Sequence, residues 1–238
     1  MSTFINLTNE LLRRLNEVQI DESSFASAKN VQALAKDAIN SAVRQMLQDA
    51  QEWPFTLVTY EQTLVAGTGT YSFPADYSKA DWDTFYIKQL SSKNNTPKKL
   101  KLITYDQYLS KYRSTEELAG ENGRTDPDYV YMTQDTKFGV TPVPDAAYVI
   151  EYRYWKYPAD LVLYNDTVIV PDRFRHVIID GAMMYMMLFR SNEQSANMHS
   201  TKFEDGIKMM RRLIIDQHTN VISTVIQRSS NSVSVDRI

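Results

Sequence analysis

The hydrophobic period changes twice along the 238 residues, and that double change limits the fold more than any single motif. Near the start, Phe4, Leu7, Leu11, Leu12 and Leu15 recur at helical spacing and predict a helix over 3–18. A second predicted helix covers 27–52. Val31, Leu34, Ala35, Ala38, Ile39, Ala42, Val43, Met46 and Leu47 form its broad apolar stripe, with Lys36, Asn40 and Arg44 mostly away from it. Ser24 or Ser27 suits its cap. Trp53-Pro54 ends it, because the residue before a proline is pushed out of the helical region.

From residue 55 the pattern is β-branched and aromatic. "FTLVTYEQTLVAGTGTYSFP" predicts a hairpin turning at Gly67-Thr68-Gly69. "WDTFYIKQL", "KKLKLI", "DYVYMTQ" and "KFGVTPVP" continue as strands. In "AYVIEYRYWKYPADL", Tyr148, Ile150, Tyr152 and Tyr154 share an apolar face, while Val149, Glu151, Arg153 and Trp155 share a mixed one. A short helix is expected at 104–115 and a polar, mobile loop at 116–128. The helical period returns at Val170. Helices at 171–191 and 195–220 are joined by "SNEQ", short enough to make them antiparallel neighbours.

The fold class this predicts is α+β: an approximately four-helix bundle with an inserted antiparallel β subdomain and an extended C-terminal arm. The expected divisions are 1–54 for the first helices, 55–170 for the β subdomain, 171–220 for the C-terminal helical hairpin and 221–238 for the arm. The arm is rich in Ser and Val and carries Val221, Ile222, Val225, Ile226, Val233, Val235 and Ile238. It has too little apolar area to fold alone.

Little in the sequence points to catalysis. There is no cysteine, so no disulfide, thiolate metal site or cysteine nucleophile is expected. His176, His199 and His218 have no partner at metal-ligand spacing, and no phosphate-binding loop or nucleophile elbow is present. Asp126-Pro127-Asp128 reads as a turn, and Glu204-Asp205-Gly206 as a solvated helix face. Asp81 and Asp83 flank Trp82, and alternation would put both on one wet strand face. No cofactor or metal is expected, although a carboxylate-based hydrolase stays open on these residues alone. The net charge of −3 argues against a surface that binds nucleic acid without specificity. One basic segment, "KNNTPKKLKL" (93–102), could touch phosphates. It reads more readily as an edge strand protected by lysines. The first residues lack a basic segment leading into an apolar run, so no secretory signal is expected.

The stretch "VPDRFRHVIIDGAMMYMMLFR" (170–190) is apolar around most of a helix. Asp180 interrupts it, and the uncharged run is far too short for the roughly 20 residues of a membrane span. Phe174, Ile178, Ala182, Tyr185 and Phe189 make the expected core face. The face carrying Arg173, His176, Asp180 and Arg190 should be wet, yet Met183 and Met187 fall on it, with Met184 close by. Apolar surface there implies cover on more than one side, either a central position in the core or a contact between subunits. Met183, Met184, Tyr185 and Met187 are therefore the candidate subunit-interface residues.

Three features in order resemble a known family: the Ala-rich helix ending in "EWPF", the "TYSFPADY" element with Tyr71, Phe73, Pro74 and Asp76, and "VPDRFRHVIIDGAMMYMM" opening a helical hairpin. Over about 25–220 this order is similar to the head-to-tail adaptors, or connectors, of tailed bacteriophages, especially the tail tubular protein A-like adaptors of short-tailed phages. The resemblance implies a structural virion protein with no catalytic residues, made in the host cytoplasm and placed at the head–tail junction. It implies a dodecameric ring between the portal protein and the tail nozzle or tail-tube protein, away from any membrane, through which DNA passes without specific binding. The 221–238 arm then becomes the candidate portal-binding segment. A nucleic-acid-binding or DNA-processing protein using 93–102 is the alternative.

Overall fold

The computed structural model describes residues 2–49, 52–88, 97–134 and 136–215. Helix α1 (Phe4–Arg14) buries Phe4, Leu7, Leu11 and Leu12, as the spacing predicts. Its start is tied to the segment before the last helices. Phe4 N–H donates to the Asp166 carbonyl (2.8 Å), Ile5 N–H to that of Tyr164 (3.1 Å), and Val168 N–H to that of Ser2 (3.2 Å). The chain then turns through 16–30, where the Ser24 and Ser27 hydroxyls hold local turns instead of capping a helix. Phe25 plugs this turn against Phe4, ring centroids 5.1 Å apart, with Lys36 over its face. Helix α2 (Val31–Asp49) follows, and Trp53 closes it by donating its indole N–H to the Met46 carbonyl (3.2 Å).

The β region consists of β1 (Leu57–Thr63), β2 (Thr70–Ser72), β3 (Tyr77–Lys88), β4 (Lys98–Lys99), β5 (Lys101–Ile103), β6 (Tyr129–Gln134), β7 (Lys137–Thr141) and β8 (Val149–Lys156). They form two sheets, ordered β1-β8-β3-β4 and β2-β7-β6-β5. An aromatic core joins the sheets. Phe85 of β3 stacks on Tyr152 of β8 (4.6 Å), and Phe138 of β7 meets both rings at 5.5 and 5.6 Å. Ile150, Tyr152 and Tyr154 are buried, the face the alternation in β8 predicts.

Several expectations for this region are corrected. β1 and β2 are not a hairpin, since β1 pairs with β8 and β2 with β7. Leu64 is buried, and its N–H donates to the Tyr148 carbonyl (2.7 Å), so the intervening turn carries the chain from one sheet to the other. "KKLKLI" is two strands, split where Leu100 is buried and its N–H donates to the Phe85 carbonyl (2.9 Å). The β region is not wholly antiparallel either, because β5 pairs parallel to β6. Parallel neighbours need a crossover, and residues 104–128 supply it through α3 (Tyr105–Tyr108), a π-helical turn at Leu109–Arg113, α4 (Ser114–Ala119) and a 3-10 turn at Gly120–Gly123. Half-buried Glu116, expected in a loop, is instead a helical residue whose carboxylate accepts hydrogen bonds from Tyr108 and Thr141.

After a single 3-10 turn at Asp172–Phe174, α5 (Arg175–Phe189) and α6 (Glu193–Ile214) complete the helical layer. Helices α1, α2, α5 and α6 share one hydrophobic core. They are arranged around α5, which packs on each of the others, while α6 lies chiefly on α5. Gly181 makes this possible. A Cβ there would stand 2.7 Å from the Phe203 ring of α6 and 2.9 Å from Ala42 of α2. Gly206 of α6 likewise comes against Val177, so the two helices run antiparallel at the closest approach their backbones allow. Replacing Gly181 with Ala should therefore overpack this crossing and lower stability by about 1–3 kcal/mol. A chemical denaturation midpoint unchanged from the parent would show that the crossing has slack.

Candidate functional site

The motifs that carried the resemblance are structural fasteners. The Tyr71 hydroxyl donates to the Thr68 carbonyl (2.6 Å) and accepts from Val65 N–H (3.0 Å), locking the turn between the sheets. Phe73 stacks face to face on Tyr77 at 4.0 Å and packs on Phe138, Tyr152 and Trp82. Pro74 offers its carbonyl to Tyr77 N–H (3.1 Å). Asp76 accepts the Tyr154 hydroxyl (2.7 Å). In "EWPF", Glu52 pairs with Lys79 of β3 and fastens the helical layer to the β region. In "VPDRF", Asp172 accepts from the Ser2 hydroxyl, a bond that holds its carboxyl below the ordinary range.

Two lysines of the basic segment are paired with carboxylates. Residues 93–96 lie outside the described residues, but Lys98 sits between Asp126 (2.6 Å) and Asp128 (2.7 Å), and Lys99 is 3.5 Å from Asp83. Burial alone would lower the Lys98 pKa, yet the two carboxylate bonds more than offset it and hold it above the ordinary value. The same bond from Lys98 holds Asp126 low. Asp126-Pro127-Asp128 is thus a lysine clamp as well as a turn. Asp81 and Asp83 do not share a simple strand face, because β3 bulges between Asp81 and Tyr86. The Thr84 hydroxyl fills that break by accepting from Arg153 N–H (2.9 Å) while donating to the Asp81 carbonyl (2.6 Å).

Of the histidines, His176 is exposed and His218 lies outside the described residues. His199 Nδ1 is 3.2 Å from Asp180, which also lies 3.8 Å from Arg14. This network links α1, α5 and α6. Asp205 pairs with Lys208 on the wet side of α6. Among the described residues, no group of three or more His, Cys, Asp or Glu could hold a metal, and no helix is long and apolar enough to cross a membrane.

The apolar surface lies elsewhere than the wheel of α5 predicts. Met183 is only 5% exposed, inside the chain's own core, and so is not on a wet face. Met184, Tyr185 and Met187 are half-buried, with the Tyr185 hydroxyl donating to Gln45 of α2 (3.0 Å). Phe189, expected in the core, is 60% exposed at the end of α5, next to exposed Leu188. On α6, Met198, Met209 and Leu213 face solvent at helical spacing, one position out of step with the buried Phe203, Ile207 and Met210. Between β8 and α5, Val162 and Leu163 project from a loop. Apart from Phe189, expected in the core, none of these exposed residues stands out in the sequence, though a run such as "LVLY" (161–164) with neither period is a usable signal. The candidate arm residues Val221, Ile222, Val225, Ile226, Val233, Val235 and Ile238 lie outside the described residues.

A fastened mixed α+β subunit with bare apolar side chains on its helical layer is equipped to touch other proteins, and it is in the class of phage structural adaptors, components of the virion, that this chain falls. Residues 2–228 match the family model described as SU10 adaptor protein, and the chain belongs to that family, in agreement with the resemblance to phage head-to-tail adaptors. No curated protein matches it in sequence.

Two expectations follow from this geometry. Met183→Glu places a charge in the subunit's own core, so it should cost about 3–5 kcal/mol of folding stability. Equilibrium unfolding of the monomer would register it, and an unchanged midpoint would return Met183 to the surface. The second concerns pH. Burial raises the phenol pKa of Tyr131, Tyr152 and Tyr154, helped at Tyr131 by the bond to Tyr108 and at Tyr154 by the bond to Asp76. A raised folded value means this stability is complete below the ordinary tyrosine value of about 10 and is lost as pH rises above it toward the folded values. Denaturation midpoints should fall between pH of about 9 and about 11, and less steeply in Tyr152→Phe. An equal slope in the variant would exclude Tyr152 as a source.

Proposed function

We propose that this adaptor works as a closed ring of identical subunits that joins the capsid portal to the tail and lets DNA through its centre. The observation that carries the reading is the apolar surface left on the helical layer, at Leu188, Phe189, Met198, Met209 and Leu213, in a chain of an adaptor family. A contiguous layer of helices with apolar residues on its outer side has a reason to be covered. Identical copies that meet through unlike faces add head to tail, and they form a ring when the rotation per step closes.

The electrostatics suit a passage better than a grip. Each subunit carries a net charge of −3, repeated around a ring, and Lys98 and Lys99 of the basic segment are engaged by carboxylates. Every phosphate held by a lysine or arginine adds salt-dependent affinity, which would slow DNA in transit. These pairs favour the adaptor over a protein that binds nucleic acid through 93–102. The Ser- and Val-rich arm, 221–238, is the proposed portal contact. Its alternating valines suit addition to a partner's sheet edge or groove.

Sedimentation and end-on electron microscopy of the purified protein should reveal annular particles, and these should be retained on portal-bearing capsids. Deleting 222–238 should leave the subunit folded and lower that retention. A protein that stays monomeric at every concentration and on capsids would overturn the ring. Undiminished retention after truncation would remove the arm from the contact.

A further inference from the structure

The segment between β8 and α5 combines a firmly held backbone with bare apolar side chains. Asn40 of α2 acts on Leu161 as a strand would, its amide donating to the Leu161 carbonyl and accepting from Leu161 N–H, both at 3.0 Å. The Asp166 carboxylate accepts from the N–H groups of Val162 and Leu163, both at 2.7 Å. The carbonyls of Tyr164 and Asp166 are in turn held by Ile5 and Phe4. This tip nevertheless presents Val162 at 68% and Leu163 at 60% exposure. Polar residues at those two positions would serve the fold of one subunit equally well. An ordered apolar tip is what an interface anchor requires, because its ordering cost does not fall on association.

A surface that fits this tip lies on the same chain. The last turns of α6 expose Met209 at 56% and Leu213 at 38%, beside Arg211 and Arg212 in the last turn. The tip has the opposite sign at Asp166, since residues 157–167 contain no lysine or arginine and Asp160, the other acid there, is paired with Arg44 of α2 (3.1 Å). The heights also agree. Gly181 meets Phe203 and Gly206 meets Val177, so antiparallel α6 brings Leu213 level with the residues leading into α5, where Asp172 holds Ser2 beside the Phe4 and Ile5 that fasten the tip. Methionine adapts to a neighbouring shape, which suits a seat for a rigid knob.

We propose that the 161–164 tip of one copy seats on the Met209–Leu213 face of α6 in the next copy. This contact rests on the ring reading above and assigns the two unlike faces that such a ring needs. Each assembly keeps one unused tip at one end and one unused seat at the other, so association continues and closes into a ring when the rotation per step allows it.

The chain has no cysteine, which allows a clean test. Leu163→Cys and Met209→Cys are introduced together, and the assembled protein is treated with a flexible bismaleimide. Covalent species larger than dimers, absent from both single variants, are expected. Leu163→Asp should raise the concentration needed for assembly by about tenfold or more while leaving the monomer's unfolding midpoint in place. Rings that form normally in the double variant but carry no cross-links would overturn the contact and leave the ring standing. Cross-linked dimers from the single Leu163→Cys variant would overturn it too, because like faces would then meet. If the parent protein never assembles, the ring fails and this contact fails with it.

Discussion

Everything in the helical layer depends on how closely α5 is enclosed by its own chain. Val177, Ile178, Ile179, Gly181, Ala182, Met183 and Met186 are all buried, while Met184, Tyr185 and Met187 are half-buried and Leu188 and Phe189 are exposed. Gly181 sets the separation, and the larger core side chains, Phe4, Phe25 and Phe203 among them, fill what remains. The most exposed apolar side chains of this layer are Leu188 and Phe189 at the end of α5 and Met198, Met209 and Leu213 on α6.

The same fact explains how much could be read from the sequence. The unusual apolar content of 170–190 is legible, and so is the inference that α5 is covered on more than one side. What covers it is legible only in part: α6 follows in the chain and is expected beside it, but the rest of the cover comes from α1 and α2, more than a hundred residues away. Local period gives Phe4, Leu7, Leu11 and Leu12 their places correctly, since a helix face is decided within a few turns. It misplaces Phe189, whose wheel position points inward but which is the last residue of α5 and lies exposed.

In the β region the limits of the sequence are topological. The alternation of β8 reads directly, but strand partners do not. The Gly67-Thr68-Gly69 turn has every local mark of a hairpin, yet Leu64 and Tyr71 are anchored in different sheets, and that anchoring overrides the turn. The basic segment shows the same weakness for charge. Lys98 looks like a phosphate ligand until Asp126 and Asp128, 28 and 30 residues further on, close around it. A charge pattern along the chain says little about the field at the surface when loops bring the counter-charges from elsewhere.

The fasteners and the bare apolar surface belong to one physical arrangement. Tyr71, Asp76, Asp166 and Asn40 spend their polar groups on backbone or on other side chains of the same subunit. That leaves the tip at Val162 and Leu163 rigid before any partner arrives. In the proposed contact, rigidity on one side meets adaptable methionine on the other. The tip then fixes position, while the soft seat tolerates small differences in angle from one subunit to the next. An assembly of identical parts closes when its joints turn by nearly the same angle, and a fixed tip keeps that angle within a narrow range. Two flexible faces would bind with a spread of angles, and two rigid ones would demand a fit that the slightest misalignment defeats. The pairing of one of each is what a chain needs when its copies must meet their neighbours at a set angle and still form.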